Sequence, residues 1–257
     1  MEPLSSLNQP AGGYDPGHFA DLVEVEDRHF WFRSRNEVIL KLVSQLLRRL
    51  PVHARMLEVG CGDGNALRFL ERAAAGRLLV GTDFFAEGLA FASQRTTCPL
   101  VRADLRSLPF QQPFHLVGMF DVLEHIPDDV GALRQLRDAL TPEGILLLTV
   151  PAGPALWSSF DEASGHCRRY TAQTLRRAAE SAGYQVERLS PFMAGIYAFV
   201  WLTRRLVPSH SVAEELKIVP VLNELFYRML AVEGRWLTSG RALPFGTSLI
   251  AVLRKQS

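Results

Sequence analysis

The chain has 257 residues, 47% of them apolar and 21% charged, a balance that excludes a disordered chain and suits one sizeable α/β domain. A formal net charge of +1 gives no bulk field toward nucleic acid, and the arginine pairs (Arg48–Arg49, Arg168–Arg169, Arg176–Arg177, Arg204–Arg205) are interleaved with acids, as on solvated helix faces. Cys61, Cys98 and Cys167 form no CxxC pair, so neither a disulfide framework nor a zinc knuckle is expected, and without a secretory signal pattern the natural setting is the cytoplasm.

In chain order, residues 1–20 read as a flexible N-terminus rich in Gly, Pro, Ser and Asn. Residues 21–50 read as one helix, with Val38, Leu42, Leu46 and Leu50 on one stripe before Pro51. The period then changes. ARMLEVG (54–60), RLLVGTD (77–83), PLVRAD (99–104), FHLVGMFD (114–121) and GILLLTVP (144–151) are short apolar runs, most of them separated by helical segments (Asn65–Ala75, Glu87–Arg95, Asp129–Leu140). Such alternation predicts βαβ crossovers: a doubly wound, mostly parallel sheet with helices on both faces. A loop from Trp157 to Tyr170, a helix Ala172–Ala182 and a sixth strand YQVERLS (184–190) follow, and TSLIAVLRK (247–255) reads as a seventh. Residues 21–257 are thus expected to form a single domain, with 21–50 as a cover helix and 191–246 as a helical insert. The insert carries FMAGIYAFVWL (192–202), well short of the ~20 residues that span a bilayer, and an amphipathic stretch, VLNELFYRMLAVEGRWL (221–237). A cap over an apolar acceptor, a homodimer interface, a peripheral membrane contact and plain core packing all fit it.

The sharpest motif is Leu57-Glu58-Val59-Gly60-Cys61-Gly62-Asp63-Gly64-Asn65, at the end of the first strand. Glycines at every second position allow a tight turn and close approach of a ligand to the backbone. A dinucleotide fingerprint needs a glycine where Asn65 stands, and it presents a helix N-terminus to a pyrophosphate. Glu58 and Asp63 would repel that group. They suit a phosphate-free, positively charged nucleoside, the description of S-adenosylmethionine; for Asp63 a helix N-cap is the plainer alternative. Asp83 ends strand two at the spacing where a carboxylate meets ribose hydroxyls, Phe84 is placed to cover adenine, and Asp104 to accept from its amino group.

At this point the chain resembles the class I S-adenosylmethionine-dependent methyltransferases, from Arg55 to Lys255. LEVGCGDG resembles that family's first motif, which implies cofactor contacts at Glu58, Gly60, Cys61, Gly62 and Gly64. GTDFF resembles the acidic end of its second strand, and ADLRSLPF the adenine-contacting turn that includes Leu105. FDVLEHIPD and LTPEGILLLTVP resemble strands four and five of the bacterial, ubiquinone-type small-molecule branch, Asp121 included. The resemblance also implies that the last strand is antiparallel and lies between strands five and six. EDRHFWFRSRN (26–36) is similar to an N-terminal helix that closes over the cofactor, with Arg35 or Arg33 on the methionine carboxylate; docking of that helix by its aromatics is the structural alternative.

Methyl transfer from a sulfonium is an in-line displacement, helped mostly by positioning, and a base is needed only where the acceptor loses a proton. His125 and His166 are the candidate catalytic residues. If 121–125 is helical, Asp121, Glu124 and His125 share a face, for a base or a divalent cation; loop support by His125 is the alternative, and no metal is expected. His166, with Asp161 as partner, follows strand five at the same crevice; the alternative is an Asp161–Arg169 ion pair with His166 bonded to the loop backbone. A small-molecule acceptor is expected, methylated on oxygen sooner than on nitrogen or carbon. Strand four lacks the (N/D)PP(Y/F) tetrapeptide that cradles a base's amino group, which argues against nucleic acid. A cofactor-binding fold reused as a non-methylating catalyst or a regulatory partner is the other class that the motifs admit.

Overall fold

The computed structural model describes residues 15–206 and 217–256. Of the stretch 1–20 that composition marks as flexible, 1–14 lie outside the described residues, while α1 (His18–Val25) begins within it. The helix predicted over 21–50 is two, α1 and α2 (Phe30–Leu47). His29 makes the break: its backbone is extended and its ring accepts the Trp31 N–H at 3.2 Å, capping α2. A turn at 48–50 ends α2 before Pro51 is reached.

The remaining elements follow the predicted order, most with shorter ends; the helix predicted over 87–95 starts at Ala86, the strand predicted over 144–151 starts at Leu140, the one predicted over 184–190 runs to Phe192, and a short helix, Ser159–Ala163, lies within the predicted loop. They are β1 (Met56–Val59), α3 (Leu67–Ala74), β2 (Leu79–Asp83), α4 (Ala86–Arg95), β3 (Leu100–Arg102), β4 (Phe114–Phe120), α5 (Asp129–Asp138) and β5 (Leu140–Pro151). After these come α6 (Ser159–Ala163), α7 (Ala172–Ser181), β6 (Tyr184–Phe192), α8 (Tyr197–Leu206), α9 (Pro220–Thr238) and β7 (Ser248–Lys255). The sheet order is β3-β2-β1-β4-β5-β7-β6, parallel except for β7, which is antiparallel to β5 and β6. The antiparallel last strand therefore sits where the resemblance implies.

Side-chain alternation divides the core in two. From β5, Ile145 and Leu147 enter the layer under α2, α3 and α9, while Leu146, Leu148 and Val150 enter the layer under α5 and α7; all five are fully buried. β7 alternates likewise, Ile250 and Val252 against Leu249, Ala251 and Leu253. Burial on both faces explains why these strands read as continuous apolar runs.

Because β6 continues to Phe192, the insert starts later than 191. Its longer helix packs as core: Leu230 and Leu237 of α9 are buried in the α2 layer. Asn223 pins α9 to the α1–α2 joint, accepting the Phe30 N–H at 2.8 Å and donating to Arg28 O at 2.9 Å. No helix among the described residues is long and apolar enough to cross a membrane.

Candidate active site

A cavity of about 960 Å³ opens at the carboxyl ends of β1, β2, β4 and β5, where Val59, Asp83, Phe120 and Pro151 line it. That is the crevice where doubly wound sheets place ligands. Of the residues singled out in the sequence, Arg35, Glu58, Gly60, Cys61, Gly62, Asp83, Phe84, Asp104, Leu105, Asp121, His125 and His166 all line it. Gly64 does not. A Cβ there would meet Ala92 Cα at 3.0 Å, so Gly64 lets α4 pack close to the turn and is not among the cavity-lining residues.

The turn after β1 demands glycine. Gly60 has φ +72, and a Cβ on it would stand 2.4 Å from Val122 Cγ2. Gly60→Ala is expected to destabilise the fold by roughly 1–3 kcal/mol, through overpacking and a left-handed backbone, in a thermal or denaturant melt. Gly62 has φ +52, and its added Cβ would lie 3.0 Å from Phe19 of α1. Phe19, buried in a segment that composition marks as flexible, thus roofs the turn. Its signal was the apolar spacing of HFADLV, hidden behind a Gly- and Pro-rich leader.

The acids separate into two kinds. Asp83 is buried; its Oδ2 accepts the Gly62 N–H at 2.7 Å and its Oδ1 the Phe85 N–H at 2.9 Å, so it ties the turn to β2 while lining the cavity. Burial outweighs those bonds and raises its pKa to about 6. Glu58 is buried with Oε2 unpartnered, and burial holds its carboxyl well above the usual carboxylate range, Arg35 opposing. An orphaned acid facing a cavity beside the turn fits a cationic ligand end.

Asp63 lines the cavity as Glu58 does, but unlike Glu58 it has an ion-pair partner, Arg95 of α4. Its Oδ1 accepts the Asn65 N–H at 3.1 Å, a turn contact ahead of the helix; the helix N-cap position belongs to Ala66, so Asp63 is not the N-cap of the alternative reading. Asp104 caps the turn 105–107, and Arg106 reaches back onto both its oxygens at 3.0 Å. Burial pushes the Cys61 thiol up, so it is a neutral lining group.

The α1–α2 joint closes one wall. Asp27 meets Arg68 and Arg95, and Asn36 Nδ2 donates to Asn65 Oδ1, which gives Asn65 a docking role where a dinucleotide site has glycine. Arg35 Nη1 lies 2.8 Å from Asp121 Oδ2, which also accepts the Thr149 hydroxyl at 3.0 Å. Arg33 points elsewhere, over the Tyr227 ring at 3.6 Å and 3.5 Å from Glu224 on α9, so of the two arginines it is Arg35 that lines the cavity.

Residues 121–125 are not a regular helix: Asp121 has φ +54 and only Leu123–His125 form a single tight turn. The expected Asp121–Glu124–His125 face is therefore replaced by another grouping. Donor atoms of Glu124, His125 and His166 lie within 4.8 Å of one another. Burial lowers the His125 pKa to about 3, and raises Glu124 well above its ordinary value. Since the unfolded His125 titrates near 6.5, its share of stability is present above that pH and is lost as pH falls toward 3. His125→Gln is expected to flatten the acid limb of the Tm–pH profile between those values.

Asp161 forms the most connected centre. It is fully buried, and its oxygens meet His166 Nδ1 at 2.8 Å, Arg169 Nε at 2.7 Å, Arg204 Nη1 of α8 at 3.3 Å and the Ser158 N–H at 3.0 Å. Burial raises its pKa, but His166 and the arginines win and hold it below the ordinary aspartate value. An ionised carboxylate only accepts, so Nδ1 of His166 donates to it, and Nε2 is the ring nitrogen left for proton exchange. The proposed His166 partner and the alternative ion pair to Arg169 therefore coexist. Arg204, from the insert, was not foreseen; only a fold that lays α8 across the cavity brings it there.

Residues 31–189, more than half of the chain, match the methyltransferase-domain family. This chain belongs to the class I S-adenosylmethionine-dependent methyltransferases. A trans-aconitate 2-methyltransferase of Azoarcus sp. (strain BH72) is 32% identical over 131 residues, 49% of this chain and 49% of that protein. A trans-aconitate 2-methyltransferase of Yersinia pseudotuberculosis is 29% identical, over 60% of this chain and 62% of that protein. The chain thus spans about half to three fifths of the length of these relatives. Among solved structures, the plantazolicin methyltransferase BpumL, bound to a pentazolic desmethylPZN analogue and SAH, matches with TM-score 0.61 at 13% identity, covering 95% of this chain and 92% of that one. The [4+2]-cyclase SpnF matches with TM-score 0.53 at 19% identity, over 84% and 81%. These two likenesses bear on the methyltransferase fold alone.

Proposed function

We propose that this methyltransferase-family chain binds S-adenosylmethionine in the glycine-turn half of the cavity and methylates an oxygen atom of a small, partly apolar acceptor in the other half. The observation that carries the reading is the continuity of one cavity. Glu58, Gly62, Asp83 and Asp104 line one part of it, Phe160, Ile196, Phe199, Val200 and Phe226 another, and His166 is in the same wall. At about 960 Å³ it is at the upper end of single-ligand pockets, which reach ~1,000 Å³, and suits cofactor and acceptor together.

When bound, S-adenosylmethionine supplies an electrophilic methyl group whose bond to sulfur breaks with the electron pair staying on sulfur. The chain's own residues do the rest. Asp83 accepts from the ribose hydroxyls, Phe84 and Leu105 flank the adenine, and Asp104 accepts from its amino group. Glu58 offers its orphaned oxygen to the ammonium, while Arg35 exchanges part of its hold on Asp121 for the methionine carboxylate. Asp161 orients His166 so that Nε2 takes the proton from the acceptor hydroxyl as the new bond forms. The apolar walls exclude water from the reacting atoms.

A second reading, which the motifs also admit, has the same cofactor site serve a non-methylating catalyst. Transfer of a labelled methyl group to any member of an acceptor panel separates the two. S-adenosylhomocysteine at a hundred times its Kd is expected to stabilise the fold by about 2.7 kcal/mol in a thermal melt, with no shift from NAD. His166→Ala is expected to cut turnover about 10²–10⁴-fold with S-adenosylhomocysteine affinity unchanged; full activity in that variant would remove the base from the mechanism.

A further inference from the structure

Nearly all the large apolar side chains left exposed among the described residues fall between 199 and 245; outside that stretch there are only Val52, Leu78 and Trp157. α8 is the centre of this patch and is inverted relative to an ordinary surface helix. Val200, Thr203 and Arg204 are half-buried, while the outer side presents Trp201, Leu202 and Leu206 with Arg205. Leu206 is 69% exposed, and Val221 in the first turn of α9 80%. The helices meet where Phe199 and Phe226 pack, ring centroids 4.9 Å apart. Phe199 and Leu222 are both exposed and line the cavity, so the apolar surface runs without a break into its mouth.

Charge indicates what covers this face. The Arg205 guanidinium lies 4.4 Å over the Trp201 ring, and Lys217 at the cavity rim is exposed. The acids on the described part of the insert are engaged within the chain: Glu224 by Arg228 and Arg33, Glu233 by the Met193 and Gly195 amides. An apolar helix face bearing Trp, with arginine reaching from its edge, matches the chemistry of a membrane interface. A two-fold contact between copies would set these cations against their own kind. Lipid phosphates supply the opposite charge.

We infer that the α8–α9 face docks on an anionic bilayer surface, with Trp201, Leu202 and Leu206 entering the interface and the cavity mouth turned to the lipid. Docking does not depend on the acceptor or on methyl transfer, and its test reads neither. The whole chain is sedimented with vesicles of phosphatidylcholine and phosphatidylglycerol in equal parts, and with phosphatidylcholine alone. The expected result is pelleting with the mixed vesicles, weakened by salt, and at least about tenfold weaker binding of the combined variant Trp201→Ser, Leu202→Gln, Leu206→Gln. Those side chains are not among the cavity-lining residues, so an unchanged S-adenosylhomocysteine-induced Tm shift checks that the variant is folded. The inference is overturned if the wild type stays in the supernatant, if both vesicle types bind it equally, or if the variant pellets like the wild type. A concentration-dependent dimer that the variant loses, without vesicle binding, assigns the face to a second copy.

Discussion

Asp83→Ala is expected to weaken S-adenosylhomocysteine binding by about 100-fold, measured by isothermal titration. Two losses combine. The carboxylate would no longer accept from the ribose, and hydrogen bonds to a charged group are each worth about 1.5–3 kcal/mol. The Gly62 and Phe85 amides, which donate to its two oxygens, would also lose their acceptor, loosening the turn that shapes the site. Asp83→Asn keeps one acceptor oxygen and should fall between. Burial places the Asp83 pKa at about 6, so affinity should also decline as pH falls through 6 and the carboxylate takes up a proton, an effect absent from the alanine variant. Wild-type affinity in Asp83→Ala would refute the ribose assignment.

The second large effect belongs to Asp161. Asp161→Ala takes from Arg169, Arg204 and His166 the buried carboxylate that they share, and breaking such a centre from one side typically costs about 3–5 kcal/mol. For a chain of this size that corresponds to a fall in Tm of roughly 6–20 °C. His166→Ala removes only one of the partners and leaves the arginines paired, so its melt should lie near the wild type while its turnover collapses. The contrast separates orientation from stability. Because partners hold the Asp161 pKa below its ordinary value, the stability it confers is present above the unfolded aspartate pKa and is lost as pH falls through the lowered folded value. Equal melting of Asp161→Ala and wild type would mean that the centre is not the anchor its geometry describes.

The sheet was legible because both its faces are buried. Continuous apolar runs such as 144–151 signal strands covered on two sides, and the glycine turn marks its own position through backbone geometry no other residue tolerates. Asp83 and Phe84 were legible because a strand end has a fixed place in such a sheet. What escaped depends on contacts distant in sequence. Asp63 looks like a ligand acid until α4 brings Arg95 onto it, thirty-two positions later. Gly64 has the motif's spacing but serves helix packing against Ala92. Asp121, Glu124 and His125 have helical spacing, yet a positive φ at Asp121 breaks the face and hands the third donor position to His166. Arg204 carries no local signal, since its role exists only once the insert folds over α6. The break between α1 and α2 was written as a capping histidine, a residue type that helix periodicity ignores.

The most direct test is a crystal structure of the chain grown with S-adenosylhomocysteine. The ribose hydroxyls are expected within hydrogen-bond reach of Asp83, the amino-acid end beside Glu58 and Arg35, and the sulfur turned toward His166. Ligand bound outside the crevice, or a cavity that stays empty at saturating ligand, would contradict that placement.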